Sequence, residues 1–269
     1  MKRIILLFLA LGAVIQVLSQ EAKTITNVSG MAYITGQISE DVATRGALAQ
    51  AKIEALRRAG VKEHITAYEA MYKGEQGDDY AEFFASDVQQ EIRGAVQSYS
   101  NLRVKKGLDP QTSLLFVEVT IDAEVVTYQV GADPTFQVEV QGILPVYKNG
   151  ESMQYQVMAT QTCYITVFNL YNDHATLIYP NPWETHQLIP AGKSVSFPSE
   201  TTSYEMVKTT KEPELNKFVF VFTKEPIPYR NFKLTVEQDQ VTSFDDLMAW
   251  VYRISPDKRV VEYVAFSIR

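Results

Sequence analysis

The sequence predicts an α+β domain, with helices on one face of a sheet, followed by a mainly β, sandwich-like domain. Three observations predict it. An alanine-striped helix is followed by two long alternating strands. Beyond residue 134 short strand patterns recur, separated by turn signals. Aromatic residues are frequent, with 15 Tyr and 13 Phe, which suits strands and large buried side chains.

The chain opens with Lys2-Arg3 and an apolar run from Ile4 to Leu18, then small residues at Val17 and Ser19 before Gln20-Glu21. This is the layout of a secretory signal peptide over residues 1–19. The run is shorter than the roughly 20 apolar residues that span a bilayer, so no stable membrane span is expected after cleavage. No cysteine follows it to carry a lipid, and the expected location is periplasmic or extracellular. Cys163 is the single cysteine, which rules out an intramolecular disulfide, and it reads as a buried strand residue beside Ile165 and Val167. The net charge of −7, without a cluster of Lys and Arg, argues against nucleic acid as a partner.

Residues 20–130 form the expected α+β domain. A strand is predicted from Thr24 to Ile34, interrupted at Gly30. Ser39 reads as an N-cap, with Glu40 and Asp41 favourable in the first turn. The helix after it places Ala43, Ala47, Ala51, Ala55 and Ala59 four apart, a stripe that permits close approach to a sheet, and Gly60 ends it. Further helices are predicted from Val61 to Tyr72 and from Asp79 to about Arg93, and strands near Ala95–Lys105 and Leu114–Tyr128.

Gly131-Ala132-Asp133-Pro134 is the expected boundary, with a β-rich module over 134–269. Phe136, Val138 and Val140 alternate, and Asn149-Gly150 is the strongest hairpin dipeptide. Cys163 to Tyr179 reads as a β-hairpin around Asn172-Asp173-His174, ended by Pro180-Asn181-Pro182. Strands follow near Val195–Phe197, Phe218–Phe222 and Val260–Ile268. Ser243 with Asp246 starts a short helix carrying Leu247, Trp250 and Val251.

The hairpin, with the Ile189-Pro190-Ala191-Gly192 turn, resembles a bacterial envelope module catalogued as a domain of unknown function. That module is sometimes appended to secreted peptidases or kinases. Gly30 to Ile34, the alanine helix and Phe116-Val117-Glu118-Val119 resemble the N-terminal domains of flagellar-assembly proteins and small outer-membrane lipoproteins, over roughly residues 25 to 128. Both resemblances imply the cell envelope, and neither implies a ligand.

The chain carries no coherent catalytic signature. His64, His174 and His186 lack zinc spacing, and Glu184 with His186 lacks a third ligand. No Gly-x-Ser-x-Gly elbow exists, and Gly192-Lys193-Ser194 lacks the glycine of a phosphate loop, with Gln187 in its place. No catalytic residue, metal or cofactor is therefore assigned. The expected function is a non-catalytic binding or assembly component of the envelope, its partner an envelope protein or surface polymer. Candidate binding residues are Trp183 and Glu184 in the Pro-rich loop, and Asn172, Asp173 and His174 at the hairpin tip. The alternatives are a glycan hydrolase with a carboxylate site between the domains, or a regulatory module for a secreted peptidase.

Overall fold

The structure, a computed structural model, describes residues 21–61, 93–171, 174–185, 188–200, 202–234 and 240–269. The predicted signal peptide over 1–19 and the helices predicted over 61–72 and 79–93 fall largely outside these residues. Strands β1 (Glu21–Ile34), β2 (Gly94–Leu108) and β3 (Leu115–Thr127) form an antiparallel sheet in the order β1-β3-β2, and helix α1 (Glu40–Arg58) packs on one face. The Ser39 side chain accepts a hydrogen bond from the Val42 amide at 3.3 Å, and Gly60 takes a φ of +94° just past the helix.

The alanine stripe is the contact between α1 and the sheet. Ala43, Ala47, Ala51 and Ala55 are buried, as are Val117, Val119 and Ile121 on the facing strand. The sequence predicts an interruption at Gly30, but β1 runs straight through it. A Cβ added there would stand 2.2 Å from the Ala47 carbonyl oxygen and 2.4 Å from the Ala51 nitrogen. Gly30 is thus the place where the helix backbone crosses the strand, a close approach that only glycine allows.

The C-terminal region is built on one large, mostly antiparallel sheet. Strand β13 (Glu214–Thr223) lies between β8 (Cys163–Tyr171) and β16 (Arg259–Ile268), and β9 (His174–Tyr179) pairs with β8 as predicted. Phe218, Phe220 and Phe222 face one side of β13, and Val219 and Val221 face the other. The phenylalanine side is covered by a three-stranded sheet of β4 (Val138–Gln141), β7 (Tyr155–Ala159) and β11 (Ser194–Phe197). A two-stranded ribbon of β6 (Glu151–Met153) and β12 (Tyr204–Met206) extends that cover. This layer supplies the sandwich-like character. Cys163, Ile165 and Val167 lie in the same core, and burial pushes the Cys163 thiol up to about 11.

The valine side is covered by helix α2 (Phe244–Tyr252), whose Ser243 cap accepts from the Asp246 amide at 3.1 Å. Its core is continuous with that between α1 and the first sheet, across the predicted boundary. The Tyr128 hydroxyl donates to the Tyr252 carbonyl at 2.8 Å. Buried Arg259 donates to the Val251 and Ile254 carbonyls, with the Tyr128 and Tyr252 rings within 6 Å of its guanidinium carbon.

One turn behaves differently from its sequence signal. Asn149-Gly150 forms a tight turn, with the Glu151 amide donating to the Lys148 carbonyl at 2.9 Å. The strands it joins do not pair with each other. Strand β5 (Val146–Tyr147) pairs with β16 and β6 with β12. The Asn149 and Gly150 amides bond to the Arg269 and Met206 carbonyls, so tertiary partners take the groups that a hairpin ladder would use.

Replacing Ala51 by leucine overpacks the α1–Gly30 crossing, and a loss of about 1–3 kcal/mol is expected by denaturant titration. An unchanged midpoint contradicts the close packing.

Candidate functional site

The loop after β9 is folded by one side chain. The Asn181 Oδ1 accepts from the Trp183 amide at 3.0 Å and the Glu184 amide at 2.8 Å, while its Nδ2 donates to the Ile178 carbonyl at 3.0 Å. This closure sends neighbouring side chains in opposite directions. Trp183 projects outward, 79% exposed, rather than plugging the end of the sandwich. Glu184 turns inward, 7% exposed. Its carboxylate accepts from the Ser199 amide at 2.6 Å and from the Tyr204 hydroxyl. Burial and donation to Glu184 push the Tyr204 phenol well above its ordinary value. Of the two predicted loop residues, Trp183 offers contact surface and Glu184 holds the loop.

His174 is the exposed first residue of β9, in register with Tyr171 and with Ser243. Asn172 and Asp173 lie outside the described residues. His174 and the Trp183 loop stand at opposite ends of β9, so the described candidates do not converge on one site.

What the fold brings together instead is a cleft of about 880 Å³ beside Trp183. Its floor is the phenylalanine side of the large sheet, where Asn169 of β8 and Asn216 of β13 continue the inward rows begun by Val167 and Phe218. Its walls are Met153, Tyr204 and Met206 of the β6–β12 ribbon together with the Trp183 loop. The Asn169 Nδ2 donates to the Asn216 Oδ1 at 2.9 Å. Among the described residues, nothing hydrogen-bonds the buried Asn169 Oδ1 or the buried Asn216 Nδ2. Asn216 is 3% exposed. A buried amide group left unpaired costs roughly 1–3 kcal/mol, so these two atoms call for a partner from solvent or from a ligand.

Sequence reasoning passed over both asparagines, although a signal was present. In Cys163-Ile165-Val167-Asn169 and Asn216-Phe218-Phe220-Phe222, a polar residue occupies the inward parity of an otherwise apolar strand.

Two other clefts bring charged groups from different elements together. One of about 560 Å³ is lined by Asp133 and Glu262. Burial raises the Glu262 carboxyl, whereas hydrogen bonds from Lys224 and Thr135 hold Asp133 well below its usual range. The Asp133 oxygens already accept from Lys224, Gln161, the Thr135 hydroxyl and the Thr135 amide. Those four donors occupy its acceptor sites and fasten the 133–135 turn. The other cleft, about 610 Å³ between β2 and α2, contains Lys52 with its ammonium 3.7 Å from Asp245. Among the described residues, no group of three His, Cys, Asp or Glu side chains is placed to hold a metal ion.

Residues 146–226 match the family described as Domain of unknown function (DUF4384). The match runs from β5 to just past β13 and contains Met153, Asn169, Trp183, Tyr204 and Asn216. No curated protein matches the chain.

Stability measurements separate the two loop residues. Trp183→Ala is expected to stay within about 0.5 kcal/mol of wild type, as an exposed substitution does. Glu184→Ala strands the Tyr204 hydroxyl and the Ser199 amide, and a loss of about 2 kcal/mol is expected. Equal losses would remove the distinction. Glu262 gives a pH signature. Its folded pKa is raised, so its favourable contribution is complete below the ordinary carboxylate range and is lost as pH rises through the folded value. Glu262→Gln should therefore be more stable than wild type at neutral pH, with the gap closing below about pH 4. A pH-independent difference contradicts the burial effect.

Proposed function

We propose that the protein is a non-catalytic binding component of the bacterial cell envelope, and that the cleft beside Trp183 takes its partner. One observation carries the reading: a mostly apolar cleft has a buried, unpaired donor and acceptor in its floor and an exposed tryptophan at its rim. Recognition sites combine apolar walls with a few polar groups that fix orientation, and tryptophan is enriched where binding energy concentrates. The envelope part rests on the sequence. Lys2-Arg3 with its apolar run supports export, and the hairpin module resembles envelope proteins.

A hydrolytic reading finds its best support in Asp133 and Glu262, two carboxylates with oppositely shifted affinities lining one cleft. A nucleophile or general base needs a free lone pair toward substrate, and Asp133 has committed its oxygens to four donors. Binding is the better supported reading.

Retention of the purified mature protein on immobilised cell-envelope material from its own source tests it. Wild type should be retained, and Trp183→Ala should lose at least about tenfold in retention with an unchanged melting temperature. Equal retention of both proteins, or none of either, contradicts the proposal.

A further inference from the structure

The chemistry of the cleft narrows its occupant, on the premise that the cleft is a binding site at all. Two side-chain amides joined by a single hydrogen bond leave one N–H donor group and one carbonyl acceptor free, whichever way the pair is oriented. In this fold the free groups are the Asn216 Nδ2 and the Asn169 Oδ1, both beneath the cleft. A hydroxyl both accepts and donates, so a hydroxyl-rich ligand satisfies the pair in either orientation. A carboxylate or phosphate only accepts, and would leave the asparagine carbonyl unmet.

The surroundings favour the same chemistry. Among the described residues, no lysine, arginine or histidine lines the cleft, and the one carboxylate residue there, Glu205, is exposed. None of these lining residues compensates an anion. An extended peptide adding as a strand needs a free sheet edge. The floor strands β8 and β13 are interior, each hydrogen-bonded on both sides, which leaves the short β6–β12 ribbon in the wall as the one edge of the cleft where a strand could add among the described residues. Trp183 supplies what a sugar ring uses besides hydrogen bonds: a broad, exposed aromatic face against which the C–H face of a pyranose can pack.

We infer that the cleft between the β6–β12 ribbon and the large sheet binds a neutral, hydroxyl-rich saccharide unit, held by Asn169 and Asn216 beneath it and Trp183 at its rim.

Calorimetric titration of the mature protein tests this with defined probes. These are neutral trisaccharides of glucose, galactose, mannose and N-acetylglucosamine, the acidic trisaccharide of galacturonate, and a neutral hexapeptide. At least one neutral trisaccharide should bind, with trigalacturonate and the hexapeptide at least about tenfold weaker. Trp183→Ala should weaken that binding by about tenfold or more. The double variant Asn169→Leu, Asn216→Leu removes both free groups together, so its melting temperature should hold or rise while binding is lost. Tighter binding of the acidic probe or the peptide overturns the saccharide class but leaves the cleft a binding site. Failure of every neutral probe overturns the class as well, and envelope retention that still depends on Trp183 then keeps the cleft. A fall in melting temperature in the double variant makes the asparagine pair a structural element, completed by buried water, and overturns its assigned role.

Discussion

Strand β13 is the constraint on which the rest of the molecule depends. It is paired on both edges and, Leu215 apart, buried on both faces, so nearly all its side chains have a fixed destination. The phenylalanines require a covering sheet on one side, and the valines require on the other side α2 and the core that continues to α1 and the first sheet. A slip of one residue would exchange the two sets, placing bulky rings against the helix and small valines in the aromatic core. The same parity carries Asn216 into the row of phenylalanines. The polar floor of the cleft is therefore a consequence of the register that builds the core.

Much of the architecture was legible because local chemistry and tertiary need agree. The alanine stripe, the Ser39 and Ser243 caps, the β8–β9 hairpin and the turn at Gly192 each have a mechanism visible in a few residues. The places where reading failed are tertiary. Gly30 looks like a break when seen alone, and its purpose appears only with a helix lying across it. Asn149-Gly150 signals a hairpin, but the chain end and β12 claim its backbone groups. In both cases the deciding partner lies far away in sequence.

The candidate site was only half legible. Trp183 stood out because a tryptophan between prolines and a carboxylate is unusual in a loop. Glu184, beside it, gives no sequence sign that Tyr204 and the Ser199 amide will draw it inward. Asn169 and Asn216 lie 47 positions apart and meet only through the β8–β13 pairing. Each is unremarkable alone, and the inward parity they share is the one trace the sequence carries. His174, the described residue of the predicted hairpin tip, lies at the far end of β9 from the Trp183 loop.

The most direct measurement follows the side chains themselves. In protein labelled with ¹⁵N at asparagine and tryptophan, solubilised envelope glycan should shift the Trp183 indole N–H together with the Asn169 and Asn216 side-chain amide signals. The Trp250 indole, packed against Phe168 and Tyr229 on the valine side, should stay in place. Movement of the Trp250 signal with the Trp183 and asparagine signals unchanged would contradict the assignment of the cleft.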